Sequence, residues 1–119
     1  MPREFNRSER VADFIKREVA LLIQRELRDP RLKNVNVNDV SVSRDMSTAK
    51  IYVTILGLDI NDNSKTYIEV LNGAAGFLRS QLASKSNMRS TPKLRFYFDE
   101  SIAIADNISK LIDNSIVNN

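Results

Sequence analysis

From Ser8 to Arg28 the apolar residues recur at three- and four-residue steps, and at Asp29-Pro30 the recurrence stops. Val11, Ile15, Val19, Leu22, Ile23 and Leu27 would share one side of a helix, with Phe14 beside them, so the spacing predicts a long amphipathic helix. Ser8 is the expected N-cap, because its hydroxyl can accept from an unpaired first-turn amide. Proline disfavours helical geometry in the residue before it, which ends the helix near Asp29. A helix with one apolar stripe must bury it, and the next segment changes period. Val35 and Val37 alternate with polar residues, as do Val40 and Val42, but the two pairs have opposite parity. A strand carrying a bulge or interrupted by a loop is expected there.

Arg44 to Thr48 reads as a turn, and Ala49 to Leu56 as a second strand with Ile51, Val53 and Ile55 on one face. Tyr52, Thr54 and Leu56 occupy its other face, so this strand should be central or covered by helices. The polar stretch Gly57–Asn63 is a loop. Its Asp59, Asn61, Asp62 and Asn63 lack the glycine and distal glutamate of a calcium loop, so no metal site is expected. Helical spacing returns through Tyr67, Val70, Leu71, Ala74, Phe77, Leu78 and Leu82, interrupted by Gly73 and Gly76. Glycine costs about 1 kcal/mol inside a helix, so the pair implies a kink, or two helices packed closely across the glycines. A polar linker, Asn87 to Pro92, leads to a strand at Leu94–Phe98. A last helix would carry Ile104, Ile108, Leu111 and Ile112 inward, capped by Ser101 or Asp99. The order is α-β-β-α-kink-α-β-α, an α+β class, as a single domain over 1–119 with 116–119 frayed.

Composition narrows the chemistry. The 119 residues contain neither cysteine nor histidine. Disulfides, thiol catalysis, cysteine-ligated zinc and every Ser-His-Asp arrangement are thereby excluded. No cofactor is called for, and an enzyme is not expected. No apolar run approaches the ~18 residues that span a bilayer, and Met1–Phe5 lacks the apolar core of a signal peptide, so a cytoplasmic chain without membrane contact is expected.

The net charge of +3 is unevenly spread. Val70–Phe98 holds Arg79, Lys85, Arg89, Lys93 and Arg95 and no acid. A neutral solvated helix would interleave carboxylates, so this stretch suggests phosphate contacts. Arg25, Arg28, Arg31 and Lys33 gather where the first helix ends. There a favourable helix dipole and RNA contact explain them equally well. Gly73-Ala74-Ala75-Gly76 spells GxxG, the spacing by which KH domains admit a nucleic-acid backbone, and a packing glycine at a helix crossing is an equal alternative. Phe96-Tyr97-Phe98 lacks the glycine-aromatic signature of a stacking platform, and alternate members must face the core, so core packing is the expected role.

Four segments together resemble the ribosome-binding factor A family, a bacterial small-subunit assembly factor. They are Arg7–Val11 with its helix; Arg28-Asp29-Pro30-Arg31-Leu32; Val40–Asp45 running into Ala49–Val53; and Leu71–Arg79 with Pro92–Asp99. The resemblance implies a type II KH-like fold, a three-stranded sheet covered by helices, in which an Ala-x-Gly kink at Ala74, Ala75 and Gly76 replaces the glycine loop. It further implies binding to the free or immature small ribosomal subunit and its ribosomal RNA in late maturation, with rRNA processing and cold adaptation. An assembly GTPase is left open as a second partner, and a monomer is expected. On this reading Arg79, Lys85, Arg89, Lys93 and Arg95 contact phosphate, while Arg7, Arg10, Arg28, Arg31 and Lys33 are secondary. A general KH-like binder of single-stranded RNA is the first alternative. A ribonuclease using Asp45, Asp59 and Asp62 with magnesium, or a purely structural domain, are more distant ones.

Overall fold

The structure is a computed structural model that describes residues 6–58, 64–86 and 90–100. Its first helix, α1, spans Arg7–Glu26. The N-cap is Asn6, not Ser8. The Asn6 side-chain oxygen accepts from the Glu9 amide at 2.8 Å and from the Ser8 hydroxyl at 2.7 Å. Both residue types suit a cap, but only Asn6 stands three residues ahead of an unpaired amide in the helix's first turn. The helix stops at Glu26, with Leu27 extended, and a 3₁₀ turn over Pro30–Asn34 follows. The sequence reading expected the stop but not this turn. Proline suits its first position because no amide is needed there, and the Asp29 carboxylate accepts from the Arg31 amide at 3.0 Å.

Strand β1 (Val35–Val42) and strand β2 (Thr48–Ile55) pair antiparallel. The register shifts between Val37 and Asp39. This is the bulge that the parity change demanded, and it lets Val35, Val37 and Val40 all face inward. Helix α2 (Ser64–Gly73) and helix α3 (Ala75–Lys85) carry the chain across to strand β3 (Lys93–Phe98), which lies parallel to β2. A parallel neighbour requires such a crossover. The sheet order is β1-β2-β3, so β2 is the central strand, as its apolar face and partly apolar opposite face suggested. Thus α-β-β-α-α-β, the core order of a type II KH domain, is the order observed. The expected last helix from Ser101, the frayed 116–119, Arg89 and the loop residues 59–63 lie outside the described residues.

Ile15, Val19, Leu22 and Ile23 of α1 join Leu71, Leu78 and Leu82 of α2 and α3 in one buried cluster. Ile51, Val53, Leu94 and Phe96 of the sheet belong to the same cluster. All three helices therefore lie on one side of the sheet, α1 against β1 and α2 and α3 against β3. Phe77, placed in the inner stripe by its spacing, is 46% exposed instead. The break at Ala74 rotates α3 relative to α2, so a stripe counted straight through both helices drifts off the core.

The break is also not a close crossing. Ala74 has φ −91° and ψ −2°, and its amide still donates to the Val70 and Leu71 carbonyls at 3.1 Å each. A Cβ added at Gly73 or Gly76 would meet nothing within 4 Å, and both positions are exposed. The expectation of helices packed across these glycines is therefore corrected. Nor do the four residues of GxxG form a loop, for Gly73 ends α2 and Ala75-Gly76 begin α3.

Candidate nucleic-acid interface

The period of two that buries Val53, Leu94 and Phe96 turns their neighbours to the other side of the sheet. Thr48, Lys50, Tyr52 and Thr54 of β2 lie beside Lys93, Arg95 and Tyr97 of β3 on the side away from the helices. The register sets them in rows: Thr48 beside Lys93, Lys50 beside Arg95, and Tyr52 beside Tyr97. Ser41 of β1 extends the second row. The Tyr52 and Tyr97 rings stack with centroids 5.7 Å apart and planes 29° apart. The Arg95 guanidinium carbon stands 6.0 Å from the Tyr97 ring centroid, within cation–π range.

Asp39 of β1 extends the tyrosine row beside Tyr52, and beyond that row the face becomes neutral and then acidic. Asn38 accepts from Asn36 at 2.6 Å and from Thr54 at 3.2 Å, and donates to Asp99 at 3.2 Å. At the other end, the β1–β2 turn holds Asp45, whose carboxylate accepts from the Ser43 and Ser47 hydroxyls, each at 2.7 Å. Those bonds, with a third from the Ser47 amide, lower its pKa to about 2. Met46 takes φ 63° to close this turn, and the Lys93 amide donates to the Ser47 carbonyl at 2.9 Å, fixing the start of β3 against it.

The sequence-predicted basic residues do not form one surface. Lys93 and Arg95 share the open sheet face, whereas Arg79 and Lys85 belong to α3 on the helical side. The Arg79 Nε donates to the Thr91 carbonyl at 2.9 Å, and Lys85 stands 4.0 Å from Glu18 of α1. The acid-free stretch thus finds its carboxylate in another element. Arg31 forms a two-pronged pair with Asp29, at 2.6 Å for its closest contact, which lowers the carboxyl pKa and raises that of the guanidinium. Arg7, Arg10, Arg28 and Lys33 are exposed. Among the described residues no cluster of acids could hold a metal, and no helix is long and apolar enough to cross a membrane. Asp59 and Asp62 lie outside the described residues.

Ribosome-binding factor A is the family whose model matches residues 7–112. The chain belongs to the ribosome-binding factor A family. It is 50% identical to the family member of Saccharophagus degradans, over 98% of this chain and 91% of that one. The member from Cellvibrio japonicus is also 50% identical, over 98% and 85%. Among solved structures, ribosome-binding factor A from Thermus thermophilus superposes with TM-score 0.67 at 29% identity, covering 77% of this chain and 96% of that one. A homology model of the same organism's factor, as fitted into the cryo-EM map of a 30S complex, gives TM-score 0.61 at 30% identity, over 75% and 91%.

Three residues of the open face escaped sequence reasoning. Lys50 was given no role, Tyr52 was read only as the second face of a strand, and Tyr97 as one of three aromatics whose alternate members should pack in the core. Alternation already separated Tyr97 from Phe96, but only the parallel register of β2 and β3 brings the three together. Phe96 itself is buried, as expected.

Proposed function

We propose that this chain binds the free or immature small ribosomal subunit and its ribosomal RNA during late maturation. Membership of the ribosome-binding factor A family carries the reading, supported by the 30S complex of a 30%-identical Thermus relative. The mechanism is occupancy: cationic side chains neutralise phosphates and hold an rRNA conformation until assembly is complete, and no bond is made or broken. Lys93 and Arg95 act from the open sheet face, and Arg79, Lys85 and Arg89 from the segment α3 and beyond, with Arg7, Arg10, Arg28, Arg31 and Lys33 in secondary positions. Among the described residues Arg79 is bonded through its Nε, which leaves its terminal nitrogens for an anion. Ribosomal RNA processing and adaptation to cold follow as consequences of correct subunit maturation.

Sedimentation of the chain with purified ribosomal particles tests this. It should travel with free small subunits, weaken with rising salt, and stay behind when only assembled ribosomes are present. A chain that binds short RNA but ignores small subunits is a general KH-like RNA binder instead.

A further inference from the structure

We propose that the open face of the sheet is a platform for unpaired ribonucleotides, with bases laid against Tyr52 and Tyr97 and phosphates over Lys50, Lys93 and Arg95. The proposal rests on the RNA-binding reading and names the form of RNA that this surface takes. Every nucleobase has a π-face, so an aromatic pair binds single strands whatever their sequence. Here the pair is pre-assembled, its rings 5.7 Å apart, and the planar Arg95 guanidinium stands beside it. Two cations, Lys50 and Arg95, form the next row, and Lys93 the row after that. Successive rows are two residues apart, about 6.6 Å at the ~3.3 Å rise of a strand, comparable to one step of an extended nucleotide backbone.

Charge gives the face a direction. Among the described residues no ion pair neutralises Lys50, Lys93 or Arg95. The nearby carboxylates are bonded elsewhere but keep their charge: Asp45 accepts from two serines at the turn, Asp99 accepts from Asn38 beyond the tyrosine row, and Asp39 stands beside Tyr52 and accepts from the Val40 amide, so the cations cluster away from the last two. Phosphates would therefore gather at the Lys50–Lys93 end. A duplex keeps its bases stacked on one another and offers a ring pair nothing to hold, so the tyrosines favour an unpaired segment.

The test measures binding of the full chain to hexauridylate and to a blunt RNA hairpin by fluorescence anisotropy. The wild-type chain should prefer hexauridylate. Y52A/Y97A should weaken it at least about tenfold, since stacking on an aromatic is the main contact to each base. Y52F/Y97F should retain it. K50A/R95A should reduce the log–log salt slope by about 1.4, two contacts at ~0.7 each on a single strand. Should Y52A/Y97A disturb folding, amide shifts of the wild-type chain on titration decide. Shifts at Lys50, Tyr52, Arg95 and Tyr97 support the platform, and shifts confined to α2 and α3 overturn it. Equal affinity for the hairpin, or full affinity in a folded Y52A/Y97A chain, also overturns it. A chain that sediments with small subunits yet ignores hexauridylate loses the platform and keeps the ribosomal reading. One that binds hexauridylate through these residues but no subunit does the reverse.

Discussion

One sheet separates two groups of cations that differ in what already holds them. On the helical side, Arg79 is bonded to the Thr91 carbonyl and Lys85 stands near Glu18. On the open side, Lys50 and Lys93 project from strands with no ion pair among the described residues, and Arg95 leans on a tyrosine ring. A cation tied to its own fold gives up part of that bonding to meet a phosphate, whereas an untied one gives up only water. The helical cations are thus partly architectural, and the open-face cations are available for a ligand. Stability measurements should divide along the same line as binding measurements.

The sharpest contrast lies between consecutive residues of β3. Phe96 is 1% exposed at the centre of the cluster, while Tyr97 faces the other way. Phe96→Ala should cost about 3–5 kcal/mol by urea unfolding, through lost burial and the cavity left behind. Tyr97→Ala should cost about 1 kcal/mol or less, the worth of a cross-strand aromatic pair. Equal costs would mean that the open face is covered, and the division would fail.

Next in size is Asn72, which ties the helical side to the exposed edge of β3. Its side chain accepts from the Phe96 amide at 2.8 Å and donates to the Phe96 carbonyl at 3.2 Å, supplying what a fourth strand would supply. Edge strands need such protection against pairing with other chains. Asn72→Ala should destabilise by about 1–3 kcal/mol, because two partly buried backbone groups lose their partners. Hydrogen exchange at the Phe96 amide should accelerate. Slow exchange there in the variant would show that the clamp is incidental.

Charge substitutions probe the division directly. Arg79→Ala should cost about 1 kcal/mol, since the Thr91 carbonyl loses a charged donor. Lys50→Ala with Arg95→Ala should change thermal stability by no more than ~0.5 kcal/mol, as exposed positions do. If the open-face pair proved the more destabilising, those cations would be structural after all.

The described helices and strands were legible because their apolar periods are long, and even the β1 bulge showed as a parity change between Val37 and Val40. The candidate interface was legible only in part. A window of sequence reveals that Val70–Phe98 lacks acids, but not that Glu18 folds back to Lys85. It gives Tyr52 and Tyr97 separately, while their stacking depends on a parallel register between strands joined by two helices. Asn72 sits in a helical stretch like any polar residue, and its bonds to Phe96 are purely tertiary. The glycines misled for a related reason. Two costly residues in a helix imply a close contact, and the described structure offers none.

Gly76 accordingly gives a smaller and opposite effect to the one its spacing suggested. It lies in α3, exposed, with open space where a Cβ would stand. Gly76→Ala should therefore stabilise by about 0.5–1 kcal/mol, by lowering the entropy of the unfolded chain. A thermal melt that fell instead would reveal a close contact at the α2–α3 break, and with it a helical side packed more tightly than described.

The smallest effect concerns Asp45, in the turn that abuts the basic end of the open face. Its carboxylate accepts from Ser43 and Ser47, and its pKa falls from the ordinary 3.8 to about 2. A carboxyl whose folded pKa is depressed contributes stability that is fully present above the unfolded value and is lost as pH falls through the folded one. The contribution should thus be intact above about pH 5 and fade between about pH 4 and pH 2. Asp45→Asn removes it at every pH, so the difference in melting temperature between wild type and variant should shrink across that window. The Asp29–Arg31 pair titrates in the same direction but is common to both chains and cancels in the difference. A difference that stayed constant from pH 5 to pH 2 would mean that the Asp45 carboxylate is not committed to the serines.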